Sequence, residues 1–169
     1  MTVAPEFSRT LPWAAIGQEG RRQSLRASPE ECAALAERFG IPAVEAFSAE
    51  LELRLEGNNA IRVRGRLSAR VVQSCVVTLE PVAQSVEEAV DLRFLAAGEE
   101  PGDDPEGPDE IPTERNVLEL GEALAEQLSL ALDPYPRAPG AALPAEVRKD
   151  EEEGPPRRNP FAVLKGGKA

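Results

Sequence analysis

The sequence predicts an α+β fold, in which two helices pack against an antiparallel β-sheet of about five or six strands that could close partly into a barrel. Apolar and polar residues alternate through residues 46–73, which is typical of a long hairpin with one buried face. Two other segments repeat apolar residues at helical spacing, and much of the remainder is rich in proline, glycine and acidic residues. We therefore expect one domain over residues 1–135 and a mostly disordered tail over residues 136–169.

The first helix is predicted over residues 28–40 by signals at both of its ends. Ser28 is suited to cap the start, Pro29 fits the first helical position, and Glu31 completes a capping box. Gly40 can end the helix in the left-handed conformation that most residues avoid. The apolar residues between these signals share one face, so we expect that face to pack against the sheet.

The strands are predicted from alternation and from turn residues. In the hairpin, a turn at residues 57–60 separates two arms whose apolar positions face the core. Further strands are expected around residues 7–11, 20–27, 74–82 and 86–94. The outward face of the hairpin is acidic on the first arm and basic on the second. Pairing across the arms would bring together six charged residues: Glu50, Glu52 and Glu56 with Arg62, Arg64 and Arg66.

The basic arm carries a row of four arginines that we call the arginine stripe: Arg62, Arg64, Arg66 and Arg70. Two interpretations are open. The stripe can form exposed ion pairs with the acidic arm, which are common and weak. Alternatively, it can bind the phosphates of RNA. We favour ion pairing and keep RNA binding as the alternative.

Residues 96–115 are predicted to form an acidic, flexible loop inside the domain. Residues 96–112 contain seven acidic residues and no basic residue, in a chain with a net charge of −11. The acids lack the ligand spacing of a calcium loop, and prolines interrupt them. We expect a solvated segment that repels nucleic acid and attracts a basic partner protein.

A second helix is predicted over residues 116–132, with Asn116 as its cap and Glu119 three residues later. Its apolar stripe contains Leu120, Leu124 and Leu128 and is widened by further leucine and valine residues. This stripe is broader than one packing contact needs. The surplus could be covered by the end of the chain or by a partner.

The residue inventory excludes several classes of chemistry. The chain has no histidine and two cysteines, Cys32 and Cys75, which rules out Ser-His-Asp and Cys-His catalysis and a structural zinc site formed by this chain alone. We expect Cys32 on the buried face of the first helix and Cys75 as a structural strand residue. No catalytic, metal or cofactor site and no small-molecule substrate are predicted. The sequence shows neither a membrane-length apolar run nor a signal pattern, so we expect a cytoplasmic protein.

The last eleven residues form an apolar cluster at the end of a polar tail. Phe161–Leu164 are apolar and lie between basic residues, in a segment too short to span a membrane. Two interpretations are open for this segment. It can pack against its own domain as a terminal strand or helical turn, or it can bind to a partner. Six residues define what we call the docking motif, at 159–165: Asn159, Pro160, Phe161, Val163, Leu164 and Lys165.

Four segments in this order support a family resemblance: Ser74–Val82, Val117–Leu128, Leu132–Pro136 and Asn159–Ala169. With them the chain resembles the YceD family, known as large ribosomal RNA subunit accumulation proteins. In many relatives, the cysteine at the place of Cys75 begins a Cys-x-x-Cys pair. Here Thr78 occupies the second position and breaks the pair on which a metal or redox role would depend.

The resemblance implies a non-catalytic ribosome biogenesis factor that supports accumulation or processing of 23S ribosomal RNA. The expected partner is a ribosomal protein or an rRNA-processing factor, bound through the docking motif. The alternative is a protein that binds rRNA directly through the arginine stripe. A nuclease using clustered carboxylates is a third class, which the placement of the acids in a loop argues against.

Overall fold

Seven strands, two α-helices and a short 3-10 helix (Trp13–Ala15) lie in the part of the chain that the computed structural model describes, residues 5–102, 104 and 106–142. The strands are β1 (Thr10–Pro12), β2 (Arg21–Arg26), β3 (Ala43–Glu56), β4 (Ala60–Ser74), β5 (Pro81–Leu95), β6 (Asp109–Pro112) and β7 (Val117–Glu119). The helices are α1 (Pro29–Phe39) and α2 (Leu120–Ala131).

The predicted α+β class is confirmed. Five strands form one sheet in the order β2-β3-β4-β5-β6, and β1 pairs with β7 in a separate two-stranded sheet. The five-stranded sheet is open, with β2 and β6 at its edges, so the partial barrel that the sequence allowed does not form in the described residues. It is also mixed, because β6 runs parallel to β5 while the other pairs are antiparallel.

The predicted hairpin is present as β3 and β4, which pair without interruption from Glu56 opposite Ala60 to Ala46 opposite Arg70. Gly57 adopts a positive φ of 65° in the tight turn between them. Inward-facing residues such as Leu53 and Val63 are fully buried. The apolar face of the sheet packs against α1 and α2 and forms one continuous core.

The predicted caps of α1 are confirmed. The Ser28 hydroxyl accepts a hydrogen bond from the Glu31 amide at 3.2 Å, and the Glu31 carboxylate accepts one from the Ser28 amide at 2.7 Å. Gly40 ends the helix with a φ of 65°. Arg9 donates to both oxygens of Glu31, at 2.6 and 2.7 Å, and so ties the N-terminal segment (residues 5–12) to this helix.

The start of the second helix was predicted wrongly. Asn116 does not cap α2: it has a φ of 54°, and its side-chain oxygen accepts a hydrogen bond from the Ala97 amide at 2.8 Å. The next three residues form β7, in which Leu118 lies opposite Leu11 of β1, and α2 begins only at Leu120. Pairing with β1 holds this backbone extended, which outweighs the local helical signal.

Two other segments differ from the sequence-based expectation. Residues 75–80, predicted to lie within a strand, form a turn that joins β4 to β5, because Ser74 and Pro81 lie opposite each other and the chain must reverse between them. Inside the predicted loop 96–115, Asp109–Pro112 form β6. The strand expected around residues 20–27 is present as β2, and the one around residues 7–11 is displaced to Thr10–Pro12.

The residues up to Ala138 belong to one compact unit. The division into a domain over residues 1–135 and a tail over residues 136–169 stays a prediction, since residues 143–169 lie outside those described. None of the helices in the described ranges is long and apolar enough to cross a membrane.

Candidate functional site

The arginine stripe lies along the outer face of β4, where the alternation predicts it. The stripe extends from Arg62 to Arg70, eight steps along the strand, a length of about 26 Å at the usual rise of a strand. The inward-facing residues between its members are buried except for Gly65. Three of the side chains, those of Arg64, Arg66 and Arg70, are about two thirds exposed at 65%, 69% and 66%. Arg62 is the exception, with 16% of its side chain exposed.

The ion-pair partners of the stripe are not those that the sequence predicted. Glu50 and Glu52 do lie opposite Arg66 and Arg64 in the strand register. Their carboxylates are engaged elsewhere, however: Glu50 accepts a hydrogen bond from Ser24, and Glu52 pairs with Arg54.

The arginines pair mainly with β5, because β4 is a central strand and its side chains can lean to either neighbour. Arg62 makes a bidentate pair with Asp91 at 2.5 and 2.7 Å, and Arg64 contacts the same carboxylate at 3.3 Å. Arg66 pairs with Glu87 at 3.2 Å, also on β5. Two pairs lie outside this pattern. Arg70 pairs with Glu45 at 3.8 Å. Glu56, which was predicted to pair with the arginine stripe, pairs instead with Arg93 at 3.1 Å.

The charges of this face are therefore largely compensated. The hydrogen bond from Arg62 lowers the pKa of Asp91, and the same contact raises the pKa of Arg62, so both groups stay charged at neutral pH. The exposed pairs of Arg64, Arg66 and Arg70 contribute only about 0–1 kcal/mol each. A phosphate could displace these three pairs at little cost, whereas the less exposed Arg62–Asp91 pair is the harder one to break.

Two further arginines of this face escaped the sequence-based assignment. Arg22 and Arg26 on β2 lie opposite Glu52 and Ser48, so they face outward beside the stripe. No described carboxylate lies within 4.0 Å of either side chain. The signal was present in the sequence, because Arg22, Ser24 and Arg26 alternate with residues of the other face.

Cys75 occupies a different place from the one predicted. It lies at the start of the turn after β4, fully buried, and its sulfur accepts hydrogen bonds from the amides of Val77 and Thr78 at 3.4 Å and of Ala138 at 3.3 Å. These donors, Ala138 first, lower the pKa of the thiol to about 6. Burial instead raises the pKa of Cys32, which lies on the buried face of α1 as predicted.

The lowered pKa favours the thiolate form of Cys75, and the hydrogen bond from Ala138 joins its sulfur to a later part of the chain. The exit segment (residues 133–138) is also bound by Gln73, which donates to the Asp133 carbonyl at 2.9 Å, and by the Val76 amide, which donates to Pro136 at 2.8 Å. Among the described residues, no group of three or more His, Cys, Asp or Glu side chains is arranged to hold a metal ion. Cys75 therefore contributes one of the hydrogen bonds that hold the exit segment.

The six residues of the docking motif lie outside the described residues, and their role stays a prediction. The assignment of the arginine stripe to RNA likewise stays a prediction, although the structure brings its four side chains onto one exposed face.

A scan against protein families matches residues 63–166 to the family described as "Large ribosomal RNA subunit accumulation protein YceD". The chain belongs to the YceD family. The match begins within β4 and covers three of the four stripe arginines, the Cys75 turn, α2 and the docking motif, and it confirms the resemblance seen in the sequence. Searches of the curated proteins and of the solved structures each found no match. The family name connects the chain with accumulation of the large ribosomal RNA subunit.

Proposed function

We propose that this YceD-family protein is a non-catalytic ribosome biogenesis factor that supports accumulation or processing of 23S rRNA in the cytoplasm. The family match over residues 63–166 carries the proposal, because the family is named for accumulation of the large ribosomal RNA subunit. We further propose that it acts by protein–protein docking, on a ribosomal protein or an rRNA-processing factor.

The charge distribution supports protein docking over broad RNA binding. The chain carries a net charge of −11, and seven acidic residues fall within residues 96–112. Such a surface repels phosphates and attracts basic proteins at long range. The outer arginines are mostly engaged by carboxylates of the same face. In this proposal Phe161, Val163 and Leu164 anchor the contact, and the neighbouring Lys165 contacts acidic protein or RNA.

The test is affinity capture from cell lysate, with and without nuclease treatment. Three baits are compared: the full chain, a chain ending at Gly154, and the full chain with Phe161→Ser and Leu164→Ser. We expect the full chain to retain large-subunit proteins or processing factors after nuclease treatment, and both variants to lose them. If a variant without the motif captures the same proteins, the docking motif is not the anchor. If no ribosomal material is captured by any bait, the biogenesis role itself loses its support.

Direct rRNA binding is the second candidate, and the exposure of the outer arginines is the observation that favours it. Arg64, Arg66 and Arg70 are each about two thirds exposed in weak pairs, and Arg22 and Arg26 extend the same face. Three phosphate contacts would give a slope of log affinity against log salt of about −2 to −3.

An electrophoretic shift assay on large-subunit RNA fragments at several salt concentrations distinguishes the two candidates. The informative variant replaces three stripe residues with glutamine: Arg64, Arg66 and Arg70. Its matched control removes the same charge from other surfaces: Arg21, Arg115 and Arg137. A steep salt dependence that only the stripe variant abolishes supports direct binding. Absence of a shift at low salt rejects it.

A further inference from the structure

A groove of about 560 Å³ lies between α2 and residues 111–117. Its floor is apolar and comes from four elements: Phe94 of β5, Ile111 of β6, Val117 of β7 and Ala123 of α2. Phe94 and Ala123 are almost fully buried, whereas 37% of Val117 is exposed.

The rim of the groove is acidic. Glu114 lies on the connection between β6 and β7, Glu119 is the last residue of β7, and Glu122 and Glu126 lie on α2. With Arg115, the lining contains four carboxylates and one guanidinium. The rim therefore carries carboxylates on both of its walls, with Arg115 beside Glu114 on the wall opposite α2.

Two of these carboxylates are already used by the fold. Glu119 accepts hydrogen bonds from the Arg9 amide at 2.6 Å and from the Ser8 hydroxyl at 2.7 Å. Glu122 forms a bidentate pair with Arg38, at 2.6 and 2.8 Å. By contrast, no described cation lies within 4.0 Å of the carboxylates of Glu114 or Glu126. One open carboxylate thus remains on each wall of the groove.

A further exposed apolar residue of α2, Leu130, lies outside the lining of the groove. Leu130 is 79% exposed and follows Glu126 by four residues, which places it on the same face of α2. Leu130 and Val117 thus add exposed apolar surface to this region. Exposed apolar surface of this kind is often a binding site for another protein. The arrangement resembles neither a catalytic site nor a metal site, because its carboxylates are spread along the rim and do not converge.

We propose that this groove is the docking site for an apolar peptide segment with flanking cations, supplied by a partner protein. The apolar floor selects aliphatic or aromatic side chains, and the open carboxylates of Glu114 and Glu126 select lysine or arginine on either side of them. RNA is the wrong chemistry for this surface, because its phosphates would meet the acidic rim. The inference rests on the groove alone and goes beyond the proposed function, since it needs neither the docking motif nor a role for 23S rRNA.

The test measures binding of a synthetic peptide to the full chain by fluorescence anisotropy. The peptide has a Phe-Val-Leu-Leu centre flanked by two arginines and two lysines, and a second peptide replaces all four cations with glutamate. The groove variant is Glu114→Lys with Glu126→Lys, and its matched control is Glu99→Lys with Glu100→Lys, which changes the net charge equally. A second pair, Leu130→Ser and Leu79→Ser, compares two leucines that are both 79% exposed.

We expect the cationic peptide to bind, the acidic peptide not to bind, and the groove variant to bind about tenfold or more weakly, with less than about a twofold change in the control. Leu130→Ser should weaken binding and Leu79→Ser should not, which keeps the test decisive if the charge variant folds poorly. Equal weakening in the groove variant and its control would show general electrostatic attraction and overturn the proposal, as would no binding of the cationic peptide. A chain ending at Ala142 that binds several-fold more tightly would make the chain's own later residues the occupant, which overturns the assignment to a partner.

Discussion

Gly121 offers a sharp test of the described fold, because two physical effects act there with opposite sign. Helix propensity alone predicts that Gly121→Ala stabilises the protein, by up to about 1 kcal/mol. A Cβ atom at this position, however, would overlap the carbonyl oxygen of Phe7 and lie 2.8 Å from the backbone nitrogen of Arg9. The N-terminal segment would then have to move away from α2.

The cost of that movement can be worked out from the contacts that it breaks. The Arg9 amide donates to Glu119 at 2.6 Å, and the Leu120 amide donates to the Arg9 carbonyl at 3.0 Å. Two such hydrogen bonds contribute about 2 kcal/mol together. Phe7, now 1% exposed, would also lose much of a burial worth about 1.5–3 kcal/mol. After the helical gain is subtracted, Gly121→Ala should lower the free energy of unfolding by about 3 kcal/mol.

Urea unfolding followed by circular dichroism measures this difference. Gly17→Ala is the control, because nothing lies within 4 Å of the added Cβ and the backbone has no positive φ there. That variant should change the free energy of unfolding by less than about 1 kcal/mol. If Gly121→Ala is as stable as the unsubstituted chain or more so, the N-terminal segment does not lie against α2 as described.

Three further predictions follow from the contacts. Ser28→Ala should cost about 1 kcal/mol in thermal unfolding, because it removes the acceptor for the Glu31 amide; an unchanged midpoint would contradict the capping box. A double-mutant cycle on Arg62 and Asp91, read by urea unfolding, should give a coupling energy of about 1 kcal/mol, against about 0–0.5 for the more exposed pair of Arg66 and Glu87; equal values would argue against the bidentate geometry. Because the folded-state pKa of Cys75 is about 6 and that of an unfolded thiol is about 8.5, the thiolate stabilises the fold above pH 8.5, and this stability is lost as the pH falls through 6. Urea unfolding should therefore give a higher free energy of unfolding at pH 8.5 than at pH 6, and no histidine contributes to this difference because the chain has none. The difference should disappear in Cys75→Ser and remain in Cys32→Ser. A difference that persists in Cys75→Ser would mean that another group causes it.

The elements that could be predicted from the sequence are those whose capping, turn and alternation signals lie within the element itself. Helix α1 has a complete capping box and a C-terminal glycine, and the β3–β4 hairpin has alternation on both arms with a glycine turn between them. These signals depend on residues close in sequence, so no knowledge of distant contacts is needed to read them.

Elements that depend on a distant partner were missed. Residues 117–119 look helical by composition, but they pair with Thr10–Pro12, more than 100 residues earlier. The four-residue strand β6 carries acidic residues and follows a proline-rich loop, and only the edge of β5 gives it a partner. The apolar residues after Cys75 suggested a strand, yet Leu79 adopts a φ of 62° in a turn and is largely exposed.

The candidate sites divide in the same way. Period-two alternation was enough to place the four stripe arginines on one outer face, and it could also have found Arg22 and Arg26. It could not identify Asp91 and Glu87 as the partners, because β4 has a neighbour on each side and pattern does not decide between them. The groove beside α2 is assembled from β5, β6, β7 and α2. Because these elements are distant in sequence, no local sequence pattern predicts the groove, and it can be recognised only in the folded structure.

The ratio of large-subunit to small-subunit rRNA in cells lacking this protein tests its role in ribosome biogenesis. Complementation is compared between the full chain, the chain ending at Gly154, and the variant with Arg64, Arg66 and Arg70 changed to glutamine. We expect the ratio to fall without the protein and to be restored by the full chain and by the arginine variant, but not by the chain ending at Gly154. An unchanged ratio in cells lacking the protein contradicts the claimed role, and rescue by the shortened chain but not by the arginine variant would replace protein docking with direct RNA binding.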